Sequence, residues 1–327
     1  MSRDFRLAGA LPARARSGVR SSDRVWDRLL YGLCLLASLL AVVVLGAIAY
    51  KVITGASEAL SRFGLGFLVH STWKPNFGSF GASSFLFGTA VTSITALLFA
   101  VPIGISIGLY LSMIAPQRLS RLIGPLVEML AAIPSVILGF WGIIVLAPFL
   151  HERLEPLLHD VFGFLPLFGT PATTGTGLFN ASVILTIMVV PIIAAISRDL
   201  FLTVPTDLQD GASALGATRW EVIRSVVLPS TASGVAAASF LGLGRALGEA
   251  IAVTQVIGAG NAINASLFGT GDTLASRIAN QYASATSNLH VSSLFYLGMI
   301  LLVIELIVNI VAQLISRRFD VHRVVAR

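Results

Sequence analysis

The sequence is poor in almost everything a soluble enzyme is built with. Charged residues make up only 12% of its 327 positions, about half the share of an ordinary soluble domain. A single cysteine, Cys34, excludes an internal disulfide and a cysteine-based metal centre. Only two of the 22 basic residues are lysine, Lys51 and Lys74, and neither follows a glycine. The GxxxxGK phosphate loop of an ATP-hydrolysing chain is therefore absent. The five histidines (His70, His151, His159, His290 and His322) form no HxH or HxxxH pair, so no metal is expected. Gly242, Gly244 and Gly248 miss the GxGxxG dinucleotide spacing by one residue. No paired carboxylates and no Ser/His/Asp arrangement stand out, which leaves a membrane enzyme without support. The net charge of +6 could suggest a nucleic-acid partner, but in a membrane chain it reflects the positive-inside rule, and no nucleic acid is expected.

What is abundant is apolar: 55% of the residues, with mean hydropathy +0.86. A membrane-crossing helix needs about 20 apolar residues. Stretches free of Asp, Glu, Lys and Arg predict six spans, at 29–50, 84–111, from near Leu122 to His151, 179–197, 231–257 and 292–315. The first is longer than the apolar core of a signal peptide, about 7–15 residues, so it reads as a retained helix. An even number of spans puts both termini on one side. Arginines crowd the segment before the first span, and with Arg118, Arg121, Arg198, Arg219, Arg224 and the basic tail they lie on that same side. This asymmetry predicts cytoplasmic termini and a multi-pass inner-membrane protein. The expected organisation is a basic cytoplasmic tail (1–28), a first transmembrane helix (29–53), a core (80–315) and a second basic tail (316–327), with membrane lipid as surroundings.

The longest inner loop, 198–229, is the most informative. Thr206 with Gln209, and Thr218 with Glu221, both fit the capping box, in which a hydroxyl and a side chain three residues on satisfy each other's backbone amides. Gly216 stands where a helix ends in a left-handed residue, and Pro229 where the second helix is expected to stop. The loop reads as helix, glycine turn, helix. The stretch DGASALGA, followed by LP, resembles the EAA loop of binding-protein-dependent ABC importer permeases. The matching positions are Asp210, Gly211, Ala212, Gly216, Leu228 and Pro229; Asp replaces the usual Glu, and Gly the first Ala. The stretches LVEMLAAIPSVILGFWG (126–142), ILTIMVVPIIAAISRDL (184–200) and LGLGRALGEAIAVTQVIG (241–258) narrow the resemblance to the PstC-type subunit of phosphate importers.

The resemblance implies an all-α polytopic protein of the type I ABC importer permease fold, with six transmembrane helices and a cytoplasmic coupling helix. It implies four kinds of partner or environment: a second, PstA-type permease subunit, two copies of an ATPase that uses the ATP, an extracytoplasmic phosphate-binding protein, and lipid. No cofactor is bound by this chain. The six EAA-loop positions would couple to the ATPase. A permease for another oxyanion, such as sulfate or molybdate, is the alternative.

Two charges fall inside the fifth span. Arg245 and Glu249 are four residues apart, which on a continuous helix places them on one face. Intramembrane charges are expensive and face a partner or an aqueous path, and arginine's planar fork can hold two phosphate oxygens. The same pair could equally lock two helices together. Both readings stand, with Arg245 and Glu249 as substrate-pathway candidates. Gly104 with Gly108, and Gly244 with Gly248, have the GxxxG spacing of closely packed membrane helices. Glu128 is expected at the interface, and Glu305 deep in the sixth span, opposite a partner subunit.

Overall fold

The computed structural model describes residues 21–171 and 175–318. Most of the arginine-rich 1–28 segment and the last residues of the 316–327 tail, from 319 on, lie outside the described residues. Among the described residues there is no strand, only an isolated bridge between Lys74 and Ser79. Six helical segments there are long and apolar enough to cross a membrane. The chain divides into two units, Met1–Lys51 and Val52–Arg327. The first contains most of α1 (Ser21–Gly55), whose apolar stretch Trp26–Gly55 is long enough to span.

In the second unit a short α2 (Ser57–Phe63) precedes α3 (Ser83–Leu109), which a π turn prolongs to Ile114. Then comes α4 (Gln117–Ala131). The third span does not start near Leu122 as expected. It runs from Ser135 to Phe162, through α5 (Ser135–Trp141), α6 (Ala147–Phe149) and α7 (Glu155–Phe162), joined by π turns. Proline drives the preceding residue out of the helical region, so Pro134 splits the apolar stretch. The charged α4 becomes a separate amphipathic helix. At the other end the span continues past His151, because the buried carboxylate of Glu155 meets His151 Nδ1 at 3.0 Å one turn away.

The fourth span, α8 (Leu178–Leu202), is the most buried and sits at the centre of the unit. Ile184, Leu185, Met188, Val189 and Ile193 of α8 pack with Ala96 and Ala100 of α3. Glycine makes that approach possible. A Cβ on Gly104 would lie 2.8 Å from Ile193 Cγ2, and one on Gly108 3.0 Å from the Arg198 nitrogen. The Gly104/Gly108 spacing thus acts as expected, as a seat for a neighbouring helix.

Beyond α8 come α9 (Thr206–Ala214) and α10 (Arg219–Val222), then a π turn (Ile223–Val227) that leads without a break into α11 (Leu228–Leu247). Pro229 therefore does not end a helix. It occupies the first turn of α11, where a missing amide is tolerated. The fifth span is also not the continuous 231–257 helix expected. It runs over Arg219–Leu247, breaks at residues 248–250, and resumes as α12 (Ile251–Val256). A short α13 (Leu274–Gln281) and the sixth span, α14 (Asn288–Arg318), complete the chain.

At the end of the unit where α3 and α14 begin lies a second, aromatic core. Phe67 and Tyr296 stack with centroids 4.4 Å apart, and Trp73 meets Phe80 and Phe85 edge-on. These rings close the 64–82 loop over α13 and the start of α14.

Candidate functional site

The break in the fifth span is where the sequence placed its two intramembrane charges, and it changes their relation. Arg245 lies in the last turn of α11, while Glu249 sits between the helices. The carboxylate turns toward α12, where Oε1 accepts the Ala252 amide at 3.2 Å. Its other oxygen lies 3.7 Å from Arg245 Nη2. The two charges do come together, although the helical face invoked for them is interrupted. At 3.7 Å the contact is an ion pair beyond hydrogen-bond length. The Glu249 side chain is 6% exposed and the Arg245 side chain 46%. The guanidinium thus stands in front of its counter-ion and donates no hydrogen bond to another described residue.

Arg245 faces a groove of about 830 Å³ between α8, α11 and α14, whose apolar wall includes Ile192, Phe240 and Leu241. Glu305, Asn309, Gln313, Ser316 and Arg317 line the α14 side. Of the second GxxxG pair, Gly248 lies against α14, while no neighbour among the described residues covers Gly244. A Cβ on Gly244 would meet nothing within 4 Å, and one on Gly248 would approach Glu305 Oε1 at 3.1 Å. The sequence singled out Glu305. It did not single out the amides that follow it at helical spacing.

The 198–229 loop forms the expected helical hairpin. Gly216 has φ +90°, the left-handed conformation glycine permits. The Ala217 amide donates back to the Ala212 carbonyl at 3.2 Å, closing the end of α9. At α10 the capping box forms: the Thr218 amide donates to Glu221 Oε2 at 2.7 Å and the Glu221 amide to Thr218 Oγ1 at 3.4 Å. The box expected at Thr206 does not form. Pro205 takes the capping position, so Thr206 falls inside α9, and Gln209 Nε2 reaches the Val204 carbonyl instead at 3.1 Å.

The six EAA-loop positions separate into two groups. Asp210, Gly211 and Gly216 are exposed on the hairpin, with Ala212 beside them half-buried. Leu228 packs near Phe201, Val204 and Val227 at the base of α11, and Pro229 follows it. Asp210 and Arg219 face one small cavity of about 260 Å³ with Met113 and Ile114. Leu215 and Trp220 of the hairpin are 91% and 62% exposed; the sequence reading passed over both.

Two further charge pairs were missed. Arg198 Nη1 contacts Glu128 Oε1 at 2.8 Å and ties α4 to α8. Arg277 Nε lies 2.8 Å from Asp272 Oδ2, with both side chains at most 4% exposed. Around that pair the Thr273 amide donates to Asp272 Oδ1 at 3.0 Å, and Ser276 Oγ also donates to Asp272. Arg277 donates to Asn261 and lies over the Phe85 ring, 4.6 Å from its centroid. Burial pushes the Asp272 carboxyl above its usual range, and the Arg277 charge opposes it. Burial likewise lowers the guanidinium, and Asp272 opposes that. Among the described residues no group of His, Cys, Asp and Glu could hold a metal.

Residues 100–321 match the model of the family "Binding-protein-dependent transport system inner membrane component". The phosphate transport system permease protein PstC of Mesorhizobium japonicum is 41% identical over 95% of this chain and 97% of its own length. The protein of the same name from Haemophilus influenzae is 42% identical over 87% of this chain and 91% of its own. Among solved structures, a bacterial alginate ABC transporter chain superimposes with TM-score 0.57 at 18% identity, covering 91% of this chain and 98% of that one. A chain of the MetNI methionine ABC transporter gives TM-score 0.53 at 23% identity, covering 73% and 95%. These likenesses show an importer permease fold. The chain belongs to the binding-protein-dependent transport system inner membrane components, in their PstC branch, and is a multi-pass inner-membrane protein.

Proposed function

We propose that this chain is one of two permease subunits of an ATP-driven importer of inorganic phosphate, and forms half of its translocation pathway. Relatives named as phosphate transport permeases match nearly its whole length. The single structural observation that carries the reading is Arg245: a half-exposed arginine that donates to no other described residue, in the last turn of the fifth span next to a helix break, facing a groove. Discontinuous helices frame binding sites in many transporters, and the guanidinium fork matches a phosphate oxygen pair. Glu249 holds Arg245 in place while the site is empty and remains as a hydrogen-bond acceptor when phosphate arrives.

The 198–229 hairpin is the cytoplasmic coupling element. Asp210, Gly211, Ala212 and Gly216 form the docking face for one of two copies of an ATPase, which carries the ATP. Open space over Gly211 and Gly216 supports this, since a Cβ on either would meet nothing within 4 Å. Leu228 and Pro229 act differently, rooting the hairpin in α11. The other partners are a PstA-type second permease subunit and an extracytoplasmic phosphate-binding protein. The arginine asymmetry supports cytoplasmic termini, with 80–315 as the pore-forming core.

Uptake of radiolabelled phosphate at low external concentration, with excess sulfate as competitor, tests the reading in cells with and without this chain. Loss of a sulfate-insensitive component is expected. Unchanged uptake, in cells lacking any redundant phosphate importer, would overturn the choice of substrate.

A further inference from the structure

On one face of α14, Glu305 is followed by Asn309, Gln313, Ser316 and Arg317, all lining the groove that Arg245 enters. The spacing of four, four and three residues keeps the side chains on one stripe of the helix. From Glu305 to Arg317 the stripe is about 18 Å long at 1.5 Å per residue. It leads from the middle of the sixth span to its basic end. Around these positions the span is apolar: from Leu297 to Ile315 only Glu305, Asn309 and Gln313 carry a polar side chain. Asn309 and Gln313 are exposed and bond to no other described residue.

Two amides and two arginines turned toward hydrocarbon would be costly. A helix packed against them would have to neutralise Arg245 and Arg317 and satisfy both amides. Water satisfies all of them at once. The charges are also distributed as conduction requires. One arginine stands near each end, the inner one paired with Glu249 and sharing the groove with Glu305, and the groups between Glu305 and Arg317 are neutral hydrogen-bonding ones. An anion can then enter without being trapped, because a usable path binds weakly at several places.

We propose that the α14 stripe of Asn309, Gln313 and Ser316 is one wall of a water-filled exit passage, through which phosphate released from Arg245 travels to the cytoplasmic mouth at Arg317. This rests on the phosphate-import reading and extends it from a binding residue to a path.

Cysteine accessibility tests it in the assembled transporter. Cys34 is the sole cysteine of this chain, so Cys34→Ala gives a background in which modification of this chain reports only the introduced thiol, and phosphate uptake by that transporter tests the import reading separately. Asn309→Cys, Gln313→Cys and Ser316→Cys are introduced singly, with Leu314→Cys, off the groove, as control. Inside-out membrane vesicles without ATP are treated with a charged, membrane-impermeant methanethiosulfonate. The expected result is modification at the three stripe positions and not at 314. Inorganic phosphate at ten times its dissociation constant should slow that modification about tenfold, by occupancy. Three results would overturn the proposal. One is modification only when the second permease subunit is absent, which makes the stripe a helix interface. Another is modification only by permeant reagents, as at 314, which makes it lipid-facing. The third is modification indifferent to phosphate, which leaves a wet cleft that the anion does not use.

Discussion

Two arginine–carboxylate pairs occupy opposite situations in this chain. Arg277 and Asp272 meet at 2.8 Å with both side chains buried. An asparagine, a threonine amide, a serine hydroxyl and an aromatic ring complete their surroundings. Arg245 and Glu249 stand 3.7 Å apart, the acid buried and the base half in the open. The first pair is enclosed, with both side chains at most 4% exposed. The second leaves its cation open beside a groove. Charge inside or near a membrane is therefore not sufficient to mark a transport site. What separates the two pairs is whether the arginine is enclosed with its carboxylate or open to a groove.

The largest expected effect comes from the closed pair. Removing one partner of a buried ion pair strands the other charge at a cost of about 3–5 kcal/mol. Arg277→Ala should therefore lower the melting temperature of the purified complex sharply, or prevent its accumulation in the membrane, with uptake lost in proportion to protein. Normal levels and melting of Arg277→Ala with selective loss of uptake would reverse the comparison and make Arg277 a substrate residue.

Next is the open pair. Arg245→Ala should leave assembly intact and cut phosphate uptake about ten- to hundredfold, corresponding to a charged hydrogen bond of about 1.5–3 kcal/mol. Arg245→Lys should recover only part of it, because an ammonium is a point charge without the planar fork. Full activity in Arg245→Lys would argue for a simple counter-ion. A smaller effect is expected at its partner. A protonated phosphate oxygen can donate to the Glu249 carboxylate, whereas fully ionised sulfate cannot. Glu249→Gln should narrow the preference for phosphate over sulfate by about tenfold, the worth of one modest hydrogen bond. An unchanged preference in competition uptake would remove that role from Glu249.

The same contrast explains which parts of the molecule could be read from sequence. Six apolar runs imposed six spans, and Thr218 with Glu221 imposed the cap at α10, because these signals are local. Boundaries failed where a single proline acted in context. Pro134 broke a run that looked continuous, whereas Pro229 slipped into a first turn and broke nothing. Arg245 and Glu249 were visible as charges in an apolar stretch, but the helix break between them was not. Asp272 and Arg277 were passed over as loop charges. The capping box at Thr273 and Ser276 was the one nearby signal. Phe85, far away in the sequence, joins the pair only once the chain is folded.

The smallest effect belongs to a third pair, and it sharpens the comparison by holding distance constant. Arg198 and Glu128 are as close as Arg277 and Asp272, at 2.8 Å, but the Glu128 side chain is 52% exposed. Water already solvates that carboxylate, so its removal strands little. An exposed pair is worth about 0–1 kcal/mol. Arg198 keeps a second support in its packing against Gly124, where an added Cβ would lie 2.7 Å from Nη1. Glu128→Gln should therefore shift melting only slightly and leave uptake unchanged, although it breaks a contact as short as the one in the closed pair. If Glu128→Gln instead matched Arg277→Ala in its loss of stability, contact distance rather than burial would rank the three pairs. The open site at Arg245 would then lose its claim to be set apart by exposure.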